Sequence, residues 1–319
     1  MSNQVEQLPL LPEQLVLPDI QDTQEKEEVK KALDELFELT LHYNDSASFD
    51  EFRKFVGHFC FYSPYNAMLI HIQMPGAKFV APASRWIYDY GRSIKPNARP
   101  IIILQPMGPV MFVFDVSDTE PTEYAKPLPP EVDKPFDVKG GKIGGKLDKI
   151  IENAKRDGIR ILYSSDGSQS AGFIRGTDEK AKKYQMFKSG IDKKRNPIYV
   201  NIEVKYDVVI NEKLSREAQF VTLAHELAHL YCGHVGSPDI KWWPRRQRLD
   251  ETVREFEAES VAYLVCARLN IDNPSEEYLA GYLKENKQTP KISLECVMKS
   301  AGLIENMTRK TLKPRKKAD

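Results

Sequence analysis

The sequence predicts a two-domain α+β protein, with a small first domain and a second built around one histidine-bearing helix. Three observations predict it. Helix-period and strand-like runs occur in both halves of the chain. A stretch rich in Pro, Glu, Lys and Gly lies between them. The length of 319 residues, at roughly 150 per domain, leaves room for two hydrophobic cores.

Residues 1–25 are rich in Pro, Gln and Asp, show no periodic apolar pattern and read as a disordered lead. The first domain is predicted over 26–118. Val29, Leu33, Leu36, Phe37 and Leu41 recur at helical spacing, and Phe49 to Phe61 forms a second amphipathic run. Ser63, Pro64, Tyr65 and Asn66 read as a turn into a third helix from Ala67 to Gln73, stopped near Pro75 and Gly76. After a short segment around Trp86 to Arg92, Pro100 to Pro106 reads as a strand. Its partner runs from Val110 to Val116, with Met107, Gly108 and Pro109 as the turn. Residues 119–145 carry the linker composition.

The second domain is predicted over 146–307. It opens with a helix from Lys146 to Arg156 and a short strand from Ile159 to Tyr163. Strands at Gly172 to Arg175 and Pro197 to Ile202 would build a small sheet. Asn201 to Ile210 is a candidate edge strand for an extended peptide. Helices follow at Arg216 to Tyr231, Asp250 to Arg268, Glu276 to Lys284 and Ser293 to Met307, and residues 308–319 form a basic tail.

Composition excludes several classes. No apolar run approaches the roughly 18 residues of a membrane helix. The N-terminus has no cationic segment followed by a continuous apolar one, so it does not read as a signal peptide. Cys60, Cys232, Cys266 and Cys296 form no CxxC pair and read as reduced thiols of a cytoplasmic protein. The formal net charge of zero hides an uneven distribution. Residues 1–50 carry three lysines against twelve acids, residues 51–115 seven basic residues against three acids, and residues 306–319 six against one. Local basic patches of this kind keep an anionic partner open.

The chemistry concentrates in one place. His225-Glu226-x-x-His229 sets two imidazoles at i and i+4 on one helix face, within reach of one Zn²⁺. Glu226 lies beside them as the expected general base, and then acid, for an attacking water. A catalytic site needs a third protein ligand. A third histidine in the HExxHxxGxxH register would fall at position 235, which is Val, so the ligand is sought on the next helix. Glu255 and Glu259 share a face there, whereas Glu257 points the other way. Glu255 is the expected ligand, and Glu259 either orients a ligand histidine or is the alternative ligand. One zinc per chain is expected, and Mn²⁺ or Fe²⁺ suits the same donors. Cys232 reads as core. His234 reads as a lone histidine without a role, with donation to substrate or bracing of the loop as its functional alternatives. The aromatic-basic loop from Trp242 to Arg248 reads as a lid, a nucleic-acid contact or a packed surface loop.

The stretch from Val209 to His229, followed by Glu255-x-Glu257-Ala258-Glu259-x-Val261-Ala262, resembles an ImmA/IrrE-type metallopeptidase. Tyr62-Ser63-Pro64-Tyr65-Asn66, Trp86 to Gly91-Arg92-x-Ile94-Lys95, and Ile101 to Pro106 running on to Val113-Phe114-Asp115 resemble the N-terminal domain of ArdC-type antirestriction proteins. The chain departs at Pro96-Asn97-Ala98-Arg99, where that pattern usually has Gly-Glu-Lys. The resemblance implies a single-stranded-DNA-binding first domain and a gluzincin-like zinc metallopeptidase, in a protein that protects mobile DNA of phage or plasmid type from restriction. Its expected DNA contacts are Tyr65, Asn66, Arg85, Trp86, Arg92, Lys95 and Arg99, because aromatic rings stack on bases while cations meet phosphates. Two other functions fit the same sequence. One is a DNA-binding antirestriction protein whose metal site is structural or idle. The other is a regulatory protease that cleaves a repressor.

Overall fold

The computed structural model describes residues 45–105, 108–128, 143–165, 171–177, 182–271, 273, 275–286 and 288–315. The predicted lead, the helix from Lys26, most of the linker and the end of the basic tail lie outside these residues. Within them the chain is α+β, as predicted, with small sheets and a helical layer. No helix among the described residues is long and apolar enough to cross a membrane.

The first half holds helices α1 (Ser46–His58), α2 (Pro64–Gln73) and α3 (Ala83–Tyr88). Its strands are β1 (Val80–Ala81), β2 (Arg92–Ile94), β3 (Ile101–Gln105), β4 (Gly108–Asp115) and β5 (Thr119–Pro121). Asp45 caps α1 by accepting from the Ser48 N–H, and Phe49, Phe52 and Val56 form its buried face. Helix α2 starts three residues before the predicted helix. Ser63 caps it and Pro64 occupies its first turn, where a missing N–H costs nothing.

Strand β3 lies at one end of the order β1-β4-β3, and α2 covers its outer edge. The Asn66 and Gln73 amides each make a two-way pair with that edge. Asn66 bonds the Leu104 backbone at 2.9 and 3.0 Å, and Gln73 the Ile102 backbone at 2.8 and 2.9 Å. The edge groups that would otherwise recruit another strand are thereby satisfied.

The second half comprises α4 (Lys146–Ala154), α5 (Arg216–Tyr231), α6 (Glu251–Arg268), α7 (Ser275–Glu285) and α8 (Leu294–Arg309). Strands β6 (Ile159–Ser164), β7 (Gly172–Gly176) and β10 (Tyr206–Asn211) form a sheet in the order β6-β10-β7, while β8 (Lys183–Ile191) and β9 (Pro197–Val204) form a separate two-stranded ribbon. This corrects the expected edge strand. Tyr206 to Ile210 is central, paired with β6 on one side and β7 on the other, and β7 takes the edge beside α5. Gly172 permits that approach, since a Cβ there would meet Thr222 Cγ2 and the Val209 carbonyl at 2.6 Å each.

One hydrophobic core runs through both halves, from Phe49, Met68 and Ile103 to Leu223, Val261 and Ile304. Arg268 ties it together. Its Nη1 donates to the Val56 and Phe59 carbonyls at 2.8 and 2.9 Å, its Nη2 to the Tyr62 carbonyl, and its Nε to Glu305 at 3.2 Å. A guanidinium on α6 thus supplies partners for carbonyls at the C-terminal end of α1, which no helix can satisfy internally.

Candidate metal centre

Ser215 caps α5 by accepting from the Ala218 N–H, and the helix buries Phe220, Leu223, Ala224, Leu227 and Ala228. That packing leaves His225 and His229 facing α6. Their Nε2 atoms lie 3.1 Å apart, that of His225 is 3.5 Å from Glu255 Oε2, and that of His229 is 3.5 Å from Glu255 Oε1. Donors bound at about 2.0–2.1 Å around a tetrahedral centre are separated by roughly 3.3 Å. The three donors therefore fit one divalent ion, and their types (two imidazoles and a carboxylate) suit zinc-class metals.

Glu259 lies one turn further along α6, 3.5 Å from the other nitrogen of His225. Burial alone would lower the His225 pKa. The carboxylates of Glu255 and Glu259 outweigh it and push the imidazole up to about 10, so this pocket strongly favours positive charge. Reciprocally, hydrogen bonds from His225 and His229 hold the Glu255 carboxyl far below the usual carboxylate range.

Glu226 is buried, 8% exposed, and the backbone N–H of Ile174 on β7 donates to it. Burial raises its carboxyl above the usual range, against the opposing charges of His225 and His229. A carboxyl with a raised pKa beside a polarising centre can both take and return a proton.

Behind His229 lies a buried chain that the sequence reading did not assemble. His229 Nδ1 is 3.0 Å from His234 Nδ1, and His234 Nε2 is 2.9 Å from Glu257. With His229 Nε2 turned to the ligand cluster, its Nδ1–H donates to His234, which in turn donates to the carboxylate. Glu257 is fully buried and held by both arms of Arg246 at 2.6 Å and by the Ser293 N–H at 2.7 Å. Cys232, His234 and Glu257 also approach one another closely. The Arg246 guanidinium already neutralises that carboxylate, so the trio is part of a hydrogen-bonded network, not a second cation site. The predicted direction of Glu257, away from Glu255 and Glu259, is what this network uses.

The loop from Trp242 to Arg248 is packed. Trp243 is buried and donates to the Gly236 carbonyl at 2.8 Å, and Arg245 donates to the Ser237 carbonyl at 2.9 Å. Gly233, at φ +83°, allows the Pro244 carbonyl to pass where a Cβ would lie 2.3 Å away. Cys232 is buried, as expected, and all four cysteines are free.

The expected DNA contacts separate into two groups. Trp86 is corrected: it is fully buried against Phe79 and Tyr90 and donates to the Phe114 carbonyl at 2.9 Å, so no ring face is open to a base. Asn66 is committed to Leu104, and Arg92 donates to the Thr119 hydroxyl and carbonyl at 2.7 and 3.2 Å. Arg85, Lys95 and Arg99 are exposed, with Arg85 paired to Asp89 and Lys95 donating to the Ser117 carbonyl. Tyr65 is half-buried under Lys299, whose ammonium lies 5.8 Å from its ring centre.

Among solved structures, the antirestriction protein ArdC from the R388 plasmid aligns in its metal-free and Mn(II)-bound forms. Identity is 13% in both cases. The alignments cover 78% of this chain and 82% and 86% of those chains, with TM-scores of 0.33 and 0.31. No curated protein matches the sequence. The family model of the IrrE N-terminal-like domain, peptidase M78, matches residues 154–267 and so spans β6 through α6, including every residue of the three-donor cluster.

Proposed function

We propose that the chain is a zinc-dependent metallopeptidase joined to a single-stranded-DNA-binding domain, serving antirestriction or another mobile-element role in the cytoplasm. The observation that carries the peptidase reading is the convergence of His225, His229 and Glu255 within 3.5 Å of one another beside the buried Glu226. A divalent ion held there would polarise a scissile carbonyl and acidify water. In this reading Glu226 accepts the proton of the attacking water and returns it to the leaving amine. Glu259 orients His225 through its Nδ1, as carboxylates commonly orient ligand histidines. The outer side of β7 is where an extended peptide would add as a further strand, placing its backbone next to Glu226. The domain limits, 26–118 and 146–307, belong to this proposal. So does DNA binding by the first domain, for which the exposed Arg85, Lys95 and Arg99 are the remaining cations.

The peptidase reading is tested with a zinc-loaded chain and an unstructured protein substrate, comparing wild type with Glu226→Gln. Cleavage by wild type and none by Glu226→Gln, at equal metal content, is expected. Equal activity in the two would remove Glu226 from the chemistry. Metal binding without cleavage by either would favour an idle metal site in a DNA-binding protein.

A further inference from the structure

The β8–β9 ribbon pairs with no other strand among the described residues, and its two faces differ in kind. The inner face is anchored: Phe187 is fully buried, Val204 nearly so, and Gln185 donates to the Ile159 carbonyl at 2.8 Å. Strand alternation therefore turns Tyr184, Met186 and Lys188 outward on β8, and the antiparallel register sets Tyr199 opposite Lys188. Tyr184, Met186 and Tyr199 are 61%, 64% and 53% exposed. Large apolar side chains so open on an anchored ribbon have no packing role among the described residues.

The net charge on this element is positive. Residues 183–204 carry five basic side chains against Asp192 and Glu203. Asp192 is occupied in the turn, accepting from the Lys194 and Asn196 N–H groups at 2.8 Å each. Glu203 is paired with Lys182 at 3.7 Å. The tip thus presents Lys193, Lys194 and Arg195 to solvent. At the other end, the ribbon's base opens into a groove of about 780 Å³ with Lys182, Lys205 and Arg245 on its walls.

We propose that the outward face of this ribbon binds single-stranded nucleic acid. The tyrosines offer π faces to unstacked bases, Lys188 lies directly across from Tyr199, and the basic tip and groove follow the phosphates on either side. Exposed aromatics interleaved with cations on a sheet face are what sequence-tolerant single-strand binding requires. Neutral or basic partners leave the positive tip uncompensated, and a duplex offers no free base faces. This site lies in the second half of the chain and is independent of DNA binding by the first domain.

The test uses the full chain and fluorescence anisotropy with labelled oligo(dT), oligo(U) and a duplex, over a range of salt. Three variants are compared with wild type: Lys193→Glu/Lys194→Glu/Arg195→Glu, Tyr184→Ala/Tyr199→Ala, and Arg85→Glu/Lys95→Glu/Arg99→Glu in the first domain. Circular dichroism confirms that each is folded. Loss of three phosphate contacts should lower the log–log salt slope for the single strand by about 2, at roughly 0.7 per contact. Loss of the tyrosines should weaken binding about tenfold or more with an unchanged slope. The dT and U probes tell DNA from RNA as the source of the strand. Wild-type affinity in both ribbon variants would overturn the proposal, and loss in the first-domain variant alone would then leave that other reading standing. Loss in the ribbon variants alone supports the ribbon and removes the first-domain reading. Tighter binding of the duplex than of either single strand, or no binding of any probe by wild type, would also overturn it.

Discussion

His234 joins His229 to Glu257: its two ring nitrogens lie 3.0 Å from His229 Nδ1 and 2.9 Å from the Glu257 carboxylate. This fixes which nitrogen of His229 faces the ligand cluster and which way the ring is turned. His234→Ala should therefore weaken zinc binding about 10–100-fold, as measured by competition with a chromogenic chelator. His234→Asn, which can both accept and donate, should recover part of that loss. Unchanged affinity in the alanine variant would make His234 a packing residue only.

Arg246 neutralises a carboxylate that has no access to solvent. Removing one partner of a buried pair costs about 3–5 kcal/mol, because the other charge stays uncompensated. Arg246→Ala should be destabilised by an amount of that order in urea unfolding. Arg246→Ala/Glu257→Gln should be more stable than the single variant. The reverse order would show that the pair itself contributes little.

Arg268 and the shared core make the two halves one cooperative unit in this account. Thermal unfolding of the wild type should show one transition in both far-UV ellipticity and tryptophan fluorescence. Arg268→Ala should lower its midpoint and separate the two signals. Two separate transitions in the wild type would mean that the halves fold independently.

His71 is buried beside the rings of Phe52 and Phe55, and that burial lowers its pKa to about 4. The unfolded chain takes up a proton near pH 6.5, so between pH 6.5 and 4 the unfolded state binds more protons. Stability from this group is complete above that window and falls as the pH drops through it, by up to about 3 kcal/mol. Urea midpoints of wild type and His71→Leu, measured from pH 7 to 4.5, should diverge in slope, with the variant less sensitive to acid. Parallel curves would contradict the burial of a neutral imidazole.

Much of the centre could be read in the sequence, because it rests on helical spacing. The four-residue intervals between His225 and His229, and between Glu255 and Glu259, place those pairs on common faces in any α-helix. Helix α5 runs from Arg216 to Tyr231, as its apolar pattern predicts. The network behind it was not legible, since Arg246 and Ser293 reach Glu257 only through tertiary packing of a loop and a helix start. The edge strand is not legible in the sequence for a related reason. β7 has five residues with two terminal glycines, whereas β10 has the stronger apolar run because both its flanks are paired. β8 is not legible in the sequence because Tyr184 and Met186 face outward while Phe187 faces in, which erases the period-2 contrast. Trp86 shows the limit of residue type alone, since the same indole serves as a stacking platform or as core.

The most direct test of the metal centre is elemental mass spectrometry of the purified chain after zinc loading and gel filtration, for wild type, Glu255→Ala and Glu259→Ala. The account predicts one zinc per chain in wild type, loss of the metal in Glu255→Ala, and retention with weakened affinity in Glu259→Ala. Metal-free wild type after loading, or full retention in Glu255→Ala, would contradict it.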